Sequence, residues 1–482
     1  MLLGIDLGTG SVKALLMTID GTPIAQSSHP YPVNAPHPGW AETNPADWWS
    51  AVAIAVRNAV QDRGDQIQAI SLSGQMHGVV LSDANGQPLY PAILWADTRA
   101  SELLYRYHAI LDLQNRLANP ITTGMAGTSL LWLQKHEFAL YTIARWAFQP
   151  KDWLRFRLTG AATAEPSDAS GTLLFDVLRD RWSTSVLDRL NLRSDWLPPL
   201  IASHNIAGHL TLEAAECLNL PIGLPVVAGA ADTAAALLGS GLLDPGIVQL
   251  TIGTAAQIAT LRSDPIAHPY YHTHLYRSAL PNQWYALAAL QNAGLALEWV
   301  RNLLGMSWPQ VYAEAFTVPP GCEGLTFLPY LTGERTPHLD PHARGSWVGL
   351  GLHHTRSHLM RAALEGVAFS LGQGLNALRE TGITPTSLRL AGGGTVEPAW
   401  KQLLADILQL PLHPVAVTAA SARGAAILAG IGTGTYTLAT VPKMAIAPEE
   451  ILPNPPHPQL QAAWHRYESL YPSLRAWRLE NE

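Results

Sequence analysis

The chain opens with apolar runs separated by short polar turns. Leu2–Asp6 and Val12–Met17 are apolar and flank a turn at Gly8–Ser11, and Pro23–His29 follows a second turn at Asp20–Gly21. Runs of this length bounded by Gly and Asp predict antiparallel strands. Ile67–Gly74 predicts a further strand, and Val79–Leu81 with Pro88–Tyr90 predicts a hairpin about Asp83–Gly86. Asn44 or Asp47 is placed to cap a helix over Trp48–Asp62, whose alanines and valines form a buried face. Later, Pro225–Ala231 predicts a strand running into Asp232, with a helix over Ala234–Leu238. Leu390–Ala391 ends a strand at Gly392, with a helix over Ala399–Leu408, and the Pro-rich stretch Leu452–Pro458 leads into a terminal helix, Gln459–Arg478.

This grammar repeats. Gly4-Ile5-Asp6-Leu7-Gly8-Thr9 resembles Gln249-Leu250-Thr251-Ile252-Gly253-Thr254 at a constant offset of 245 residues (Gly8 to Gly253, Thr9 to Thr254), and each unit is followed by a second apolar strand. Two such units half a chain apart predict two similarly built halves that face one another. The Pro/Gly-rich segment Gly241–Gly246 sets the boundary, giving domains 1–241 and 242–482. No low-complexity linker separates them, which predicts packed halves with a cleft between.

Length and composition narrow the class. A chain of 482 residues exceeds one compact core, and 48% hydrophobic against 14% charged residues is a folded, not a disordered, balance. A net charge of −7 without a basic run argues against a nucleic-acid partner. Cys217 and Cys322 have no Cys or His at zinc-ligand spacing, which suits a reducing compartment without a disulfide. The start, MLLGIDLGTGSVK, has no basic leader, and the oily segment Ala228–Leu243 is interrupted by Asp232 and glycines. No membrane association and a cytoplasmic location are the expectation.

Several short constellations bear on chemistry. A Gly-Thr turn between strands gathers backbone N–H groups and a hydroxyl, an arrangement that binds phosphate oxygens. Gly8, Thr9 and Gly10 offer it on one side of the cleft, and Gly253 with Thr254 on the other; plain hairpin turns are the alternative. Asp6 ends an apolar strand, where a carboxylate is costly unless it meets a metal, a donor or water, and magnesium held by a carboxylate plus phosphates fits. Asp232 reads equally as a helix N-cap or as a general base held at a strand end. Trp95-Ala96-Asp97-Thr98-Arg99 offers an aromatic face with fixed polar partners, which suits a sugar; a salt-bridged loop is the competing reading. Gln75, Met76 and His77 follow the strand that ends at Gly74, and Gly392, Gly393 and Gly394 let a ring or phosphate approach the backbone.

Taken in order, these pieces resemble the FGGY carbohydrate kinases, of the actin-like ATPase superfamily. GIDLGTGSVK resembles the family's first phosphate segment, and Pro38–Glu42 with Asn44–Trp49 its Trp-rich early motif. Gly74–Gly78 (GQMHG) and Leu94–Arg99 (LWADTR) resemble the xylulokinase branch. Gly229–Thr233, Gly333–Pro337, Gly345–Leu350 with Glu365–Val367, and Ala391–Gly394 match later motifs. The resemblance implies an α/β fold of two RNase H-like domains closing on ATP, Mg²⁺ and a sugar, with D-xylulose the leading substrate. It makes Asp232 the base and places Asp6 beside metal and phosphates. Gln75, Met76, His77, Trp95, Asp97 and Arg99 then line the sugar site; Gly8, Thr9, Gly10, Lys13, Gly253, Thr254 and Gly392–Gly394 hold the nucleotide. A homodimer is the family's expectation. Ser129, where the family carries Lys, and Thr233, where xylulokinases carry Asn, depart from the pattern. Another ketose or polyol, such as ribulose, is the alternative substrate, and a non-catalytic nucleotide-binding sugar sensor the alternative class.

Overall fold

In the computed structural model, which describes residues 1–415, 417, 419–441 and 449–481, the opening runs pair as their turns dictate. Strand β1 (Leu2–Leu7) lies antiparallel to β2 (Ser11–Met17) with Asp6 opposite Lys13, and β2 pairs with β3 (Pro23–Pro30). Every residue of β1 is buried, and its other neighbour, β4 (Ala69–Gly74), is parallel and equally buried. Parallel pairing requires a crossover. Helix α1 (Pro45–Val60) supplies it, capped by Asn44, whose side chain accepts from Ala46 N at 3.1 Å. The helix starts earlier than the apolar pattern alone indicated because Pro45 is well suited to a first helical position. After helix α2 (Pro150–Thr159), β5 (Ile206–His209) and β6 (Pro225–Ala231) complete a sheet of order β5-β6-β4-β1-β2-β3, and helix α3 (Asp232–Gly239) leaves β6 directly.

The second half repeats this plan. Strands β7 (Val248–Ile252), β8 (Ala256–Arg262), β9 (His274–Arg277), β10 (Trp284–Leu290), β11 (Leu388–Ala391) and β12 (Leu412–Pro414) form a sheet of order β9-β10-β8-β7-β11-β12. With β5 and β9 set aside, both sheets have the same order and the same strand senses, and β7 takes the place of β1. The sequence repeat is therefore a structural one. Helix α4 (Arg356–Arg379) packs on the second sheet, and α5 (Pro398–Leu408) and the terminal helix, which spans Pro458–Asn481, pack on α4.

One expectation needs correction. Val80–Ser82 pairs chiefly with Trp146–Phe148, not with Pro88–Tyr90. Asp83 Oδ1 accepts from Asn85 N and Gln87 N, both at 2.8 Å, so the turn closes on itself and little ladder follows. The two halves also exchange elements. Helix α6 (Ala420–Gly432) crosses from the second half onto the first sheet, where a Cβ on Gly4 would stand 1.9 Å from Ala422 O. It also packs backbone to backbone on α3, with Gly239 against Ala420 and Gly424 against Ala235. In return, Ala118, Ala169, Phe175 and Val177 join the core of the second half. The halves are interlocked, and among the described residues no helix is long and apolar enough to cross a membrane.

Candidate active site

Three parallel strands of the first sheet end side by side, with Asp6 opposite Ser73 and Ala231 opposite Gly74. Asp6, Gln75–His77 and Asp232 therefore emerge at the carboxyl edge, where open α/β sheets take their ligands. The second sheet does the same with Gly253–Thr254 after β7 and Gly392–Gly394 after β11. Gly394 N donates to Ile252 O at 3.1 Å, and Gly392 has φ +101° with no room for a side chain, since a Cβ would stand 2.2 Å from Ile252 O. Gly253 O and Thr254 O are held by Gly294 N and Leu295 N at 3.1 and 2.9 Å, which leaves the exposed turn fixed from beneath.

The two aspartates differ in how they are held. Asp6 is buried and accepts from Ser73 Oγ at 3.0 Å. Burial raises its carboxyl pKa, against the opposing pull of Ser73 and of Lys13, which stands exposed on the adjoining strand. Asp232 is the first residue of α3, and the cap position belongs to Ala231, which supplies no side-chain bond. The N-cap reading therefore fails. The Asp232 carboxylate accepts from its neighbour instead, from Thr233 N and from Thr233 Oγ1 at 3.1 Å. Burial first, then the charge of Asp6, push its pKa up to about 7. A carboxyl so placed is near half-ionised at neutral pH and suited to accepting a proton in a transition state.

The Gly-Thr turn is fastened by its carbonyls and side chain. Gly8 O accepts from Tyr31 Oη and from Gln75 Nε2, the latter at 3.4 Å; Thr9 Oγ1 accepts from Trp95 Nε1 at 2.9 Å; Gly10 O accepts from Tyr31 N at 3.1 Å. The amides of Thr9 and Gly10 have no acceptor among the described residues, and nothing stands within 4 Å of a Cβ built on Gly10. This is an open, pre-formed set of donors for anionic oxygen.

Beside it lie the residues expected around the sugar. Gln75 is buried with Oε1 unpaired, and Met76 Sδ accepts from Tyr285 Oη at 3.6 Å across the cleft. His77 holds φ +74°, a conformation that costs a non-glycine residue about 1–3 kcal/mol. Its Nδ1 lies 2.6 Å from Gly171 O, so that nitrogen carries the proton and Nε2 presents a lone pair. Burial lowers its pKa to about 4, with the charge of Arg335 assisting, so the ring is neutral.

Asp97 and Arg99, expected at the sugar site, are engaged with one another and with Glu42. Both are buried, and Arg99 donates to Asp97 at 2.9 and 2.7 Å and to Glu42 at 2.7 Å while lying 3.6 Å from the Trp40 ring centroid. Asp97 spends its remaining capacity on Arg99 N and Ala41 N. The salt-bridged-loop reading holds for this pair, because two buried charges satisfy each other before any ligand arrives. Of that motif, Trp95 is the member that reaches the cleft.

Sequence reasoning gave no role to several residues that the fold brings here. Arg335, Tyr276 and His274 face the site from the second half; Gly333–Pro337 stands out as a segment, whereas a tyrosine or histidine on a strand carries no local signal. Beneath Asp232 lies a wholly buried charge cluster, with Lys151 Nζ at 2.6 Å from Asp152, 3.4 Å from Glu165 and 3.5 Å from Asp168, and Arg155 at 2.9 Å from Asp152. Ser167 Oγ, bonded to Glu165, accepts from Ala231 N at 3.0 Å and so ties this cluster to the residue preceding Asp232.

Family models for the FGGY family of carbohydrate kinases match both halves, the N-terminal domain over residues 1–239 and the C-terminal domain over 248–433. The chain belongs to this family. Xylulose kinase from Escherichia coli (strain K12) is 36% identical over 415 residues, 84% of each chain. Xylulose kinase from Lactococcus lactis is 35% identical over 483 residues, covering 97% of this chain and 94% of its own. The crystal structure of a xyloylose kinase from Brucella ovis superposes with a TM-score of 0.93 at 33% identity, covering 99% of both chains. The fold is accordingly the α/β, two-domain architecture of the actin-like ATPases, and the FGGY chain is an ATP-dependent carbohydrate kinase.

Proposed function

We propose that this carbohydrate kinase phosphorylates D-xylulose at its terminal hydroxyl to give D-xylulose 5-phosphate. The relatives named above support the sugar, and the observation that carries the chemistry is Asp232, a carboxyl with pKa about 7 at the strand edge shared with Asp6 and His77. In this reading the sugar rests against Trp95, with His77 Nε2 and Gln75 Oε1 as acceptors for its hydroxyls and Met76 shaping the wall. Asp97 and Arg99 fix the loop that presents Trp95. Asp232 takes the proton as the sugar oxygen forms its bond to the γ-phosphorus and the bond to ADP breaks. The amides of Thr9 and Gly10, with Lys13, hold phosphate from one side, and Gly253, Thr254 and Gly392–Gly394 hold the nucleotide from the other. The half 1–241 thus carries the sugar and 242–482 the nucleotide.

The Asp6 carboxylate, buried and short of donors, fits a magnesium ion that shares its remaining coordination with phosphates and water. Bound there, Mg²⁺ supplies neutralisation of phosphate charge. We further propose a cytoplasmic enzyme without a nucleic-acid partner, acting as a homodimer. The test is ADP release from ATP–Mg²⁺ with D-xylulose, L- and D-ribulose, glycerol and gluconate, using Asp232→Ala as the blank. Turnover on D-xylulose that the variant lacks is the expected result. Turnover on a different sugar alone overturns the substrate, with Ser129 and Thr233 the first positions to examine; nucleotide binding without turnover on any sugar overturns the kinase reading.

A further inference from the structure

Arg335 is the cation in this cleft that the mechanism above leaves unused. Its backbone is held firmly on both sides. Glu334 and Asp340 exchange backbone hydrogen bonds at 2.9 Å, and Thr336 donates to Ala289 O and His272 O at 2.9 and 2.8 Å. The neighbouring Glu334 carboxylate acts on the guanidinium through its charge but makes no hydrogen bond to it, being occupied by Gln291 N and Arg335 N at 2.7 and 2.8 Å and by Asn292 Nδ2 at 3.3 Å. The side chain projects across to the first domain, where its guanidinium carbon lies 5.4 Å from the centroid of the Trp95 ring. Its charge reaches His77, His274 and Tyr276, and Tyr276 is reached in turn by Asp232. Arg335 and Asp232 therefore bracket a space bounded by Trp95, His77 and Tyr276.

Other arginines show what is missing. Arg99, Arg155 and Arg277 each meet a carboxylate at 2.7–2.9 Å, whereas the guanidinium of Arg335 makes no hydrogen bond or ion pair among the described residues. A face-on aromatic contact satisfies none of its five N–H donors, and a part-buried cation without protein acceptors is costly. Such a group is pre-organised for oxygens that arrive with a ligand.

We propose that Arg335 is a specificity-determining residue of the sugar site, contributed by the second domain, whose guanidinium binds the hydroxyl and carbonyl oxygens at the end of the sugar remote from Asp232. This rests on the kinase reading above. A sugar held between Trp95 and His77 on one domain and Arg335 on the other also bridges the cleft, so its binding favours the closed arrangement.

The test is Arg335→Met and Arg335→Lys in the full chain, assayed with whichever sugar of the panel the parent turns over. Failure of the D-xylulose assignment then changes the sugar and not the test; a parent that turns over none overturns both readings. For Arg335→Met, the KM for sugar rises at least tenfold, the KM for ATP stays within twofold, and Arg335→Lys falls between parent and Met. An analogue lacking the hydroxyl at the remote end is penalised in the parent and hardly further in Arg335→Met. The melting temperature of ligand-free Arg335→Met is equal to or above the parent's, because an unpaired charge is removed. A rise in the KM for ATP with the sugar KM unchanged would place Arg335 on phosphate and overturn the proposal. A melting temperature several degrees lower would make it a structural residue and overturn it equally.

Discussion

Replacing Asp232 by Asn separates catalysis from stability with opposite signs. The amide keeps the shape of the side chain and an oxygen for Thr233 N, and removes only the proton acceptor. General-base catalysis contributes about 10²–10⁴-fold, so kcat should fall by that factor, or about 3–5 kcal/mol in barrier. The parent's kcat/KM should rise with pH through about 7, since Asp232 must be ionised to act and its pKa is about 7. At pH 6 it should reach roughly one tenth of the plateau, and the residual activity of Asp232→Asn should lack this limb. Stability runs the other way. The folded pKa of about 7 lies above the 3.8 of an unperturbed aspartate, so between these values the folded state binds more protons than the unfolded one. Its stability therefore falls as pH rises from about 4 through 7. By pH 8 the full cost is present, at most about 4 kcal/mol. Asp232→Asn is relieved of that cost and should melt above the parent at pH 8 without ligand, with the difference fading towards pH 4. ADP-coupled assays and thermal melts at both pH values decide it. Near-normal turnover would end the base assignment, and a lower melting temperature at pH 8 would show that burial does not raise this carboxyl.

Other consequences follow from the same geometry. Arg99→Met strands Asp97 and Glu42 in the interior, and should cost about 3–5 kcal/mol in chemical denaturation, the opposite sign to Arg335→Met. Lys151→Met leaves Asp152, Glu165 and Asp168 with Arg155 as their cation, and should destabilise by a similar amount; a change below about 1 kcal/mol would mean that the cluster is already neutralised by protons. Gly392→Ala forces a Cβ to 2.2 Å from Ile252 O at φ +101°, and should raise the KM for ATP roughly tenfold with the KM for sugar unchanged, as titration with ADP can check.

Much of the fold was legible in the linear pattern. Apolar runs cut by Gly and Asp gave β1, β2 and β6 to within a residue or two, whereas α1, expected from Trp48, begins at Pro45 behind its Asn44 cap. The repeat at Gly8 and Gly253 announced two like halves, and Asp6 and Asp232 stood out as carboxylates at the ends of apolar strands. These features depend on neighbours a few residues away, which is the range over which turn chemistry and periodicity act. Other features depended on partners distant in sequence. Arg99 meets Glu42, 57 residues away, and that meeting decided that the pair is structural. Tertiary packing alone carried α6 onto the first sheet, where glycines at 4, 239 and 424 let backbones touch. It also set Arg335 over Trp95 with no hydrogen-bond acceptor among the described residues and moved Asp232 to a pKa of about 7. Residue types determine which groups can bind or ionise; desolvation and charges brought from elsewhere in the chain determine which of them do, and those exist only once the two halves have packed together.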